Sequence, residues 1–170
     1  MPSNIEIKAR ASDWDEQLKR AESLAGSPPK FTRQTDTFFV APSGRLKLRL
    51  FEDHSGELIS YRRQDSMGPK SSEYVIASLP QADEVLAVLS HSLETVGTVK
   101  KLRRVFWVGH TRIHFDEVET LGRFLELEYV LVPGENPDTG DEEVLRLLGE
   151  LGVRPEDHLN GAYVDMLRSK

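Results

Sequence analysis

An α+β fold, an eight-stranded antiparallel β-barrel or tunnel with helices packed on its outside, follows from three features of the 170-residue sequence. Eight runs read as strands, and most of them carry charge on one face and aliphatic side chains on the other. Three or four further segments repeat apolar residues at helical spacing, so each has a stripe that needs covering. The aliphatic strand faces are its natural cover. Packing helices there turns the charged strand faces toward one another, as in a barrel wide enough to hold a ligand. An empty interior lined by charge is costly, so the consistent solution is a wet, anion-filled tunnel. No linker, repeat or low-complexity segment divides the chain, which reads as a single domain over residues 1–170.

The bulk numbers narrow the function classes. Lys and Arg number 22 against 28 Asp and Glu, a net charge of −6, which argues against a surface built to coat nucleic acid or an anionic membrane. Neither is expected as a partner. Without cysteine there are no disulfides, no thiol catalysis and no zinc–thiolate site. The N-terminus lacks a basic-then-apolar signal pattern and no stretch approaches about 18 apolar residues, so the expected location is the cytoplasm.

Residues 4–10 alternate strictly, with Asn4, Glu6, Lys8 and Arg10 on one face and Ile5, Ile7 and Ala9 on the other. Ser12 or Asp13 caps a helix that runs to about Ala25 on a stripe of Trp14, Leu18, Ala21, Leu24 and Ala25, and Gly26 ends it. Residues 31–40 form a second strand containing Gln34-Thr35-Asp36-Thr37-Phe38-Phe39, β-branched and aromatic as strands prefer. After a turn at Pro42-Ser43-Gly44 comes Arg45-Leu46-Lys47-Leu48-Arg49-Leu50, with cations at every odd position and leucines at every even one. Cations sharing a strand face repel one another unless water or an anion lies above them. Residues 57–64 follow, where adjacent Arg62 and Arg63 must point to opposite faces, and Gly68-Pro69 separates them from a strand over 70–78. Residues 81–96 have helical spacing at Val85, Leu86, Val88, Leu89, Leu93 and Val96, with Gly97 as the stop. A strand over 99–108 carries Lys101 and Arg103 on one face and Lys100 and Arg104 on the other. Residues 133–140 read as a loop, 141–151 as an amphipathic helix, and 162–168 as a short terminal helix.

Between these lies the stretch that carries the chemistry. Arg112-Ile113-His114-Phe115-Asp116-Glu117-Val118 and Phe124-Leu125-Glu126-Leu127-Glu128 form a hairpin that brings Asp116, Glu126 and Glu128 onto one face. Opposed like charges cost up to ~1 kcal/mol per pair, and a cation between them reverses that cost. Hard oxygen donors suit Mg²⁺ or Mn²⁺.

In joint order and spacing, these motifs resemble the CYTH superfamily of triphosphate tunnel metalloenzymes, and within it the class IV adenylyl cyclase-like branch. The resemblance runs from Ile5-Glu6-Ile7-Lys8 through Gln34-x-Asp36-Thr37-Phe38-Phe39, Leu46-Lys47-Leu48-Arg49, Tyr61-Arg62-Arg63, Gly68-Pro69-Lys70 and Lys101-x-Arg103. It continues over the acidic hairpin to Ala162-Tyr163-Val164-Asp165. What it implies is a tunnel whose bases hold a triphosphate and whose acids hold metal. Lys8, Lys47, Arg49, Arg63, Lys101, Arg103 and Arg112, with Lys70 beside them, are then the phosphate-binding residues. Among these Lys8, Arg63 and Lys101 take part in the reaction, and Glu6, Asp116, Glu126 and Glu128 bind one or two metal ions. His114 is expected to hydrogen-bond behind the ligands. The implied activity is conversion of ATP to cyclic AMP and pyrophosphate. The alternatives are a phosphohydrolase of inorganic, nucleoside or organic triphosphates, and a non-catalytic polyanion-binding module. The family prior allows monomer or homodimer. Two departures stand out. Asn4 replaces the first Glu of the usual Glu-x-Glu-x-Lys, removing one charge from a second metal position. Phe38 stands where hydrolytic relatives resembling thiamine triphosphatase have a water-activating tyrosine, leaving Tyr61, Tyr74 or Tyr163 as substitutes.

Overall fold

Eight long strands close into an antiparallel barrel with four helices on its outside. The computed structural model describes all 170 residues. In chain order the elements are β1 (Ser3–Arg10), α1 (Trp14–Ala25), β2 (Lys30–Phe39), β3 (Arg45–Phe51), β4 (Gly56–Arg63) and β5 (Lys70–Leu79). There follow α2 (Ala82–Ser92), β6 (Thr95–Val108), β7 (Thr111–Val118), β8 (Gly122–Val130), α3 (Pro137–Glu150), a 3₁₀ turn (Pro155–Asp157), a two-residue β9 (His158–Leu159) and α4 (Tyr163–Arg168). Hydrogen bonds join the strands as β5-β4-β3-β2-β6-β7-β8-β1, and β1 returns to β5 to close the circle. Closure removes every long free edge. No helix is long and apolar enough to cross a membrane.

The aliphatic strand faces do point outward into the helices. Ile5, Ile7, Ile113, Phe115, Leu125 and Leu127 of β1, β7 and β8 meet Trp14 and Ala21 of α1 and Val144, Leu147 and Leu148 of α3. Phe115 takes the edges of Trp14 and Phe106 at ring distances of 5.4 and 5.7 Å. A second cluster lies under α2, around Phe39, Leu48 and Ala82. The third is inside the barrel at one end. Phe38, Val99, Val118 and Phe124 have the inward parity of their strands, and α4 fills the space among them with Tyr163 and Val164. Bidentate pairing of Arg45 with Asp165, at 2.7 and 3.1 Å, fastens α4 to β3.

Two boundaries differ from the sequence reading. The helix expected over 81–96 stops at Ser92, and Gly97 lies within β6, opposite Phe38 and beside a shift in register between Phe38 and Phe39. Apolar spacing alone runs the helix through Val96, but Thr95 and Val96 are β-branched and extended in β6, Thr95 opposite Phe39 and Val96 at the register shift. Gly97 serves close packing instead, since a Cβ there would sit 3.0 Å from Val164. Helix α3 begins at Pro137, within the expected loop: the side chain of Asn136 accepts from the Asp138 N–H and proline occupies the first turn. Gly140 then lies inside the helix, where a Cβ would come within 2.7 Å of Ile5 and 3.0 Å of Tyr129. That position lets the helix backbone descend onto β1 and β8.

Candidate functional site: the charged tunnel

The inward strand faces enclose a cavity of about 360 Å³, within the size range of small-molecule sites. Strand parity sets its lining. Glu6 and Lys8 come from β1, Asp36 from β2, Lys47 and Arg49 from β3, Arg63 from β4, Lys101 and Arg103 from β6, Arg112 and His114 from β7, and Glu126 and Glu128 from β8. Of the adjacent arginines, Arg63 faces inward and Arg62 is exposed.

Every phosphate-binding candidate that lines the cavity already has a carboxylate partner. Asp36, fully buried, receives Arg49 through two bonds of 2.9 Å, Lys47 at 3.0 Å and Lys101 at 3.0 Å. Arg103 forks onto both oxygens of Asp116 at 2.7 Å, and the Tyr163 hydroxyl donates to the same carboxylate at 2.8 Å. Arg63 donates to Glu6 at 2.7 Å, Lys8 lies 3.3 Å from Glu126, and Arg112 lies 2.7 Å from Glu128. Lys70 is buried but not part of the lining; its amine donates to the Ser66 carbonyl at 3.2 Å.

Burial and these partners reset the titrations. Burial by itself pushes the Asp36 carboxyl up, yet Arg49, Lys101 and Lys47 hold it well below the usual carboxylate range. The same burial brings Lys101 down to about 7 and Lys47 to about 8, against the pull of Asp36. Arg103 outweighs burial at Asp116 and lowers it to about 2. The Tyr163 phenol rises well above its ordinary value through burial and the charge of Asp116, and burial pushes Tyr61 up to about 12. At the acidic pair, Lys8 and Arg103 overcome burial and hold Glu126 low, whereas burial and the charge of Glu126 push Glu128 up to about 7 despite Arg112.

Of the four metal-ligand candidates the structure brings Glu126 and Glu128 together, with His114 as the third member. Ligand atoms of these three lie within 4.8 Å of one another. Glu6 is directly opposite Glu128 across the β1–β8 pair, but its carboxylate turns to Arg63, and Asp116 is taken by Arg103 and Tyr163. Burial and Arg103 depress His114 well below its ordinary value, so its ring is neutral, and its buried Nδ1 has no hydrogen-bond partner. Two carboxylates and an orphaned neutral imidazole fit a divalent cation of the Mg²⁺ or Mn²⁺ kind.

A model of the CYTH domain matches residues 3–163. The chain belongs to the CYTH domain family. A Methanocaldococcus jannaschii protein named as a candidate adenylate cyclase is 20% identical over 95% of this chain and 97% of its own length. A solved structure of a Pyrococcus horikoshii protein superposes with a TM-score of 0.83 at 21% identity, covering 95% of this chain and 98% of that one. A Hippeastrum protein, described as a candidate adenylyl cyclase with a dominant triphosphatase activity, reaches 0.67 at 19% identity over 98% and 95% of the two chains. At these identities the structural matches establish the CYTH fold.

Asp36 stands in a recognisable sequence motif with no role assigned to it by local pattern. The repulsion among the cations of Arg45–Leu50 points to water or a bound polyanion above them; the anion that Lys47 and Arg49 meet in the structure is instead the chain's own Asp36, directly opposite Arg49 in the β2–β3 pair. Tyr163 was named only as a spare hydroxyl, and its place over Asp116 depends on how α4 enters the barrel end, which no local pattern encodes.

Proposed function

We propose that this CYTH chain is a divalent-metal-dependent enzyme acting on a triphosphate held in the tunnel, converting ATP to cyclic AMP and pyrophosphate. Charge balance carries the reading. The seven paired cations meet five carboxylates, because Asp36 serves three of them, which leaves a balance of +2. Lys30 and Glu57, one of each sign, also line the cavity and leave the balance unchanged. An organic triphosphate carries roughly four negative charges at neutral pH. One divalent cation added to the tunnel's +2 matches it.

In this reading the guanidiniums of Arg49, Arg63, Arg103 and Arg112 grip phosphate oxygens through paired N–H donors, and Lys8, Lys47 and Lys101 act as point charges. Glu126, Glu128 and His114 would hold the cation, which would neutralise phosphoryl oxygens and acidify a nearby hydroxyl. During cyclisation the ribose 3′ oxygen passes its proton to water, from which the departing pyrophosphate can recover it, and bonds to the α-phosphorus. The bond from that phosphorus to the bridging oxygen breaks, and pyrophosphate leaves stabilised by the Lys and Arg belt. The preference for cyclisation rests on Phe38, which has no hydroxyl, and on Tyr61 and Tyr163, both pushed up, away from the range of a water-activating base; Tyr74 is the one other phenol in the lining.

The second reading is a tunnel triphosphatase, favoured by the activity described for the Hippeastrum neighbour. It uses the same belt and differs in the nucleophile positioned. A purely polyanion-binding module accounts for Glu126 and Glu128 only as partners of Lys8 and Arg112, and gives no role to the neutral, unpartnered His114 beside them. Purified protein, incubated with ATP, GTP, thiamine triphosphate and tripolyphosphate in Mg²⁺ or Mn²⁺, tests the set when products are resolved by chromatography. The expected result is equimolar cyclic AMP and pyrophosphate, lost in Glu126→Ala. Orthophosphate without cyclic product selects the triphosphatase. No turnover of any of the four above the Glu126→Ala control overturns the enzyme reading.

A further inference from the structure

The tunnel changes character along its length in a way that a bare polyphosphate does not use. At one end Phe38, Val99 and α4 fill the barrel, so access is from the other. The cationic belt occupies the middle. Two residues further from the plugged end on β2 and on β1 come Gln34 and Asn4, both lining the cavity, 5% and 3% exposed. The Gln34 amide N–H donates to the Thr32 hydroxyl at 2.9 Å, while its Oε1 is buried with no partner, and so is Oδ1 of Asn4. Amide oxygens are acceptors and repel phosphate oxygens; what satisfies them is a donor, such as a hydroxyl. Phe51 lies directly opposite Gln34, and beyond them the lining includes Val105 and Trp107 on β6, with Lys30 directly opposite Val105. Trp107 is 51% exposed, and the Arg112 guanidinium lies 5.6 Å from its ring while also holding Glu128 at 2.7 Å. A half-exposed indole at a cavity mouth offers a flat ring a stacking face.

We propose that Trp107, Gln34 and Asn4 form a subsite for the organic part of the substrate, so that the ligand is a nucleoside triphosphate entering phosphates first. Resting on the triphosphate reading above, it orders the ligand: polyphosphate in the Asp36–Lys101 belt, sugar hydroxyls at the two amide oxygens, base on Trp107 at the mouth. Trp107 then determines specificity for nucleotides over inorganic tripolyphosphate.

The chain has two tryptophans, and Trp14 is buried in the outer core, so a ligand-induced change in tryptophan fluorescence that is absent from Trp107→Ala reports Trp107. With Mg²⁺ present, α,β-methylene-ATP and tripolyphosphate are titrated into the wild-type chain and the Trp107→Ala and Gln34→Leu variants, with affinities measured by calorimetry. The nucleotide analogue is expected to quench fluorescence while tripolyphosphate does not, and to bind at least about tenfold more tightly. In Trp107→Ala the ratio of the two affinities falls toward one. In Gln34→Leu the preference for the analogue over its 2′,3′-dideoxy form disappears. Equal affinity for nucleotide and tripolyphosphate in the wild type, with no fluorescence response, overturns the subsite and leaves the triphosphate reading standing. Failure of both ligands to bind overturns the two together.

Discussion

Replacing Asp36 by asparagine keeps the shape of the side chain and removes the one charge that three cations share. With Lys47, Arg49 and Lys101 all within 3.0 Å of a carboxylate that has no solvent exposure, the substitution strands three buried positive charges. Breaking one buried ion pair costs about 3–5 kcal/mol. For a chain of this size each kcal/mol moves the melting temperature by about 2–4 °C, so Asp36→Asn is expected to melt roughly 6–20 °C below wild type. Lys101 and Lys47, already at about 7 and about 8, can shed protons to relieve the repulsion. A lysine with a depressed folded pKa binds fewer protons folded than unfolded, so its contribution to stability improves as pH rises. The deficit is therefore expected to be larger at pH 6 than at pH 9. The same change raises the belt's balance from +2 to +3 and removes an internal competitor for phosphate. The variant should bind tripolyphosphate more tightly, and saturating ligand should close the gap by mass action. Scanning calorimetry with and without tripolyphosphate, at both pH values, reads all of this. Melting within about 2 °C of wild type, or weaker binding of tripolyphosphate, refutes the reasoning.

Other parts of the molecule give separate tests. Glu128 is raised to about 7 from 4.5, so its stabilising protonation is fully present below pH 4.5 and is lost as pH rises through 7. Divalent cation needs the ionised form, and the Mn²⁺-induced rise in melting temperature should grow between pH 5.5 and 8; a rise independent of pH removes Glu128 from the site. Tyr163→Phe deletes the hydroxyl bonded to Asp116 and should cost about 1.5–3 kcal/mol in chemical denaturation, the range for bonds to charged groups. Its turnover should stay within a fewfold of wild type, and a loss of a hundredfold or more would make that phenol the base. Gly140→Val puts a branched side chain where Ile5 and Tyr129 lie against α3, and overpacking of about 1–3 kcal/mol should appear as a lower urea midpoint.

Much of this architecture was legible because a barrel with a charged interior imposes period-two patterning on nearly every strand. Arg45 to Leu50 announced its two faces, and the outer core was readable from Ile5, Ile7, Ile113, Leu125 and Leu127. The acidic hairpin likewise placed Glu126 and Glu128 correctly as neighbours. What could not be read was which carboxylate meets which cation. Asp116 shares strand parity with His114, but cross-strand register puts it opposite Arg103, where two parallel hydrogen bonds outcompete membership of the acidic pair. Glu6 goes to Arg63 although 57 residues separate them, through closure of β1 onto β5. Helix ends were lost where a local preference competed with a longer pattern, as at Thr95-Val96 and at Asn136-Pro137. The aromatic mouth was invisible for a simpler reason: Trp107 becomes a mouth residue only when β6 is seen to run past the cationic belt.

A divalent cation is expected to complete the charge balance that a triphosphate needs in the tunnel. Calorimetric titration of α,β-methylene-ATP with Mg²⁺, and again with EDTA, tests it most directly. The expected result is an affinity at least about tenfold higher with the cation, equivalent to 1.4 kcal/mol or more. In Glu126→Gln/Glu128→Gln that gain disappears. Equal affinity with and without the cation in the wild-type chain contradicts the account, and the tunnel is then a polyanion receptor whose own +2 suffices.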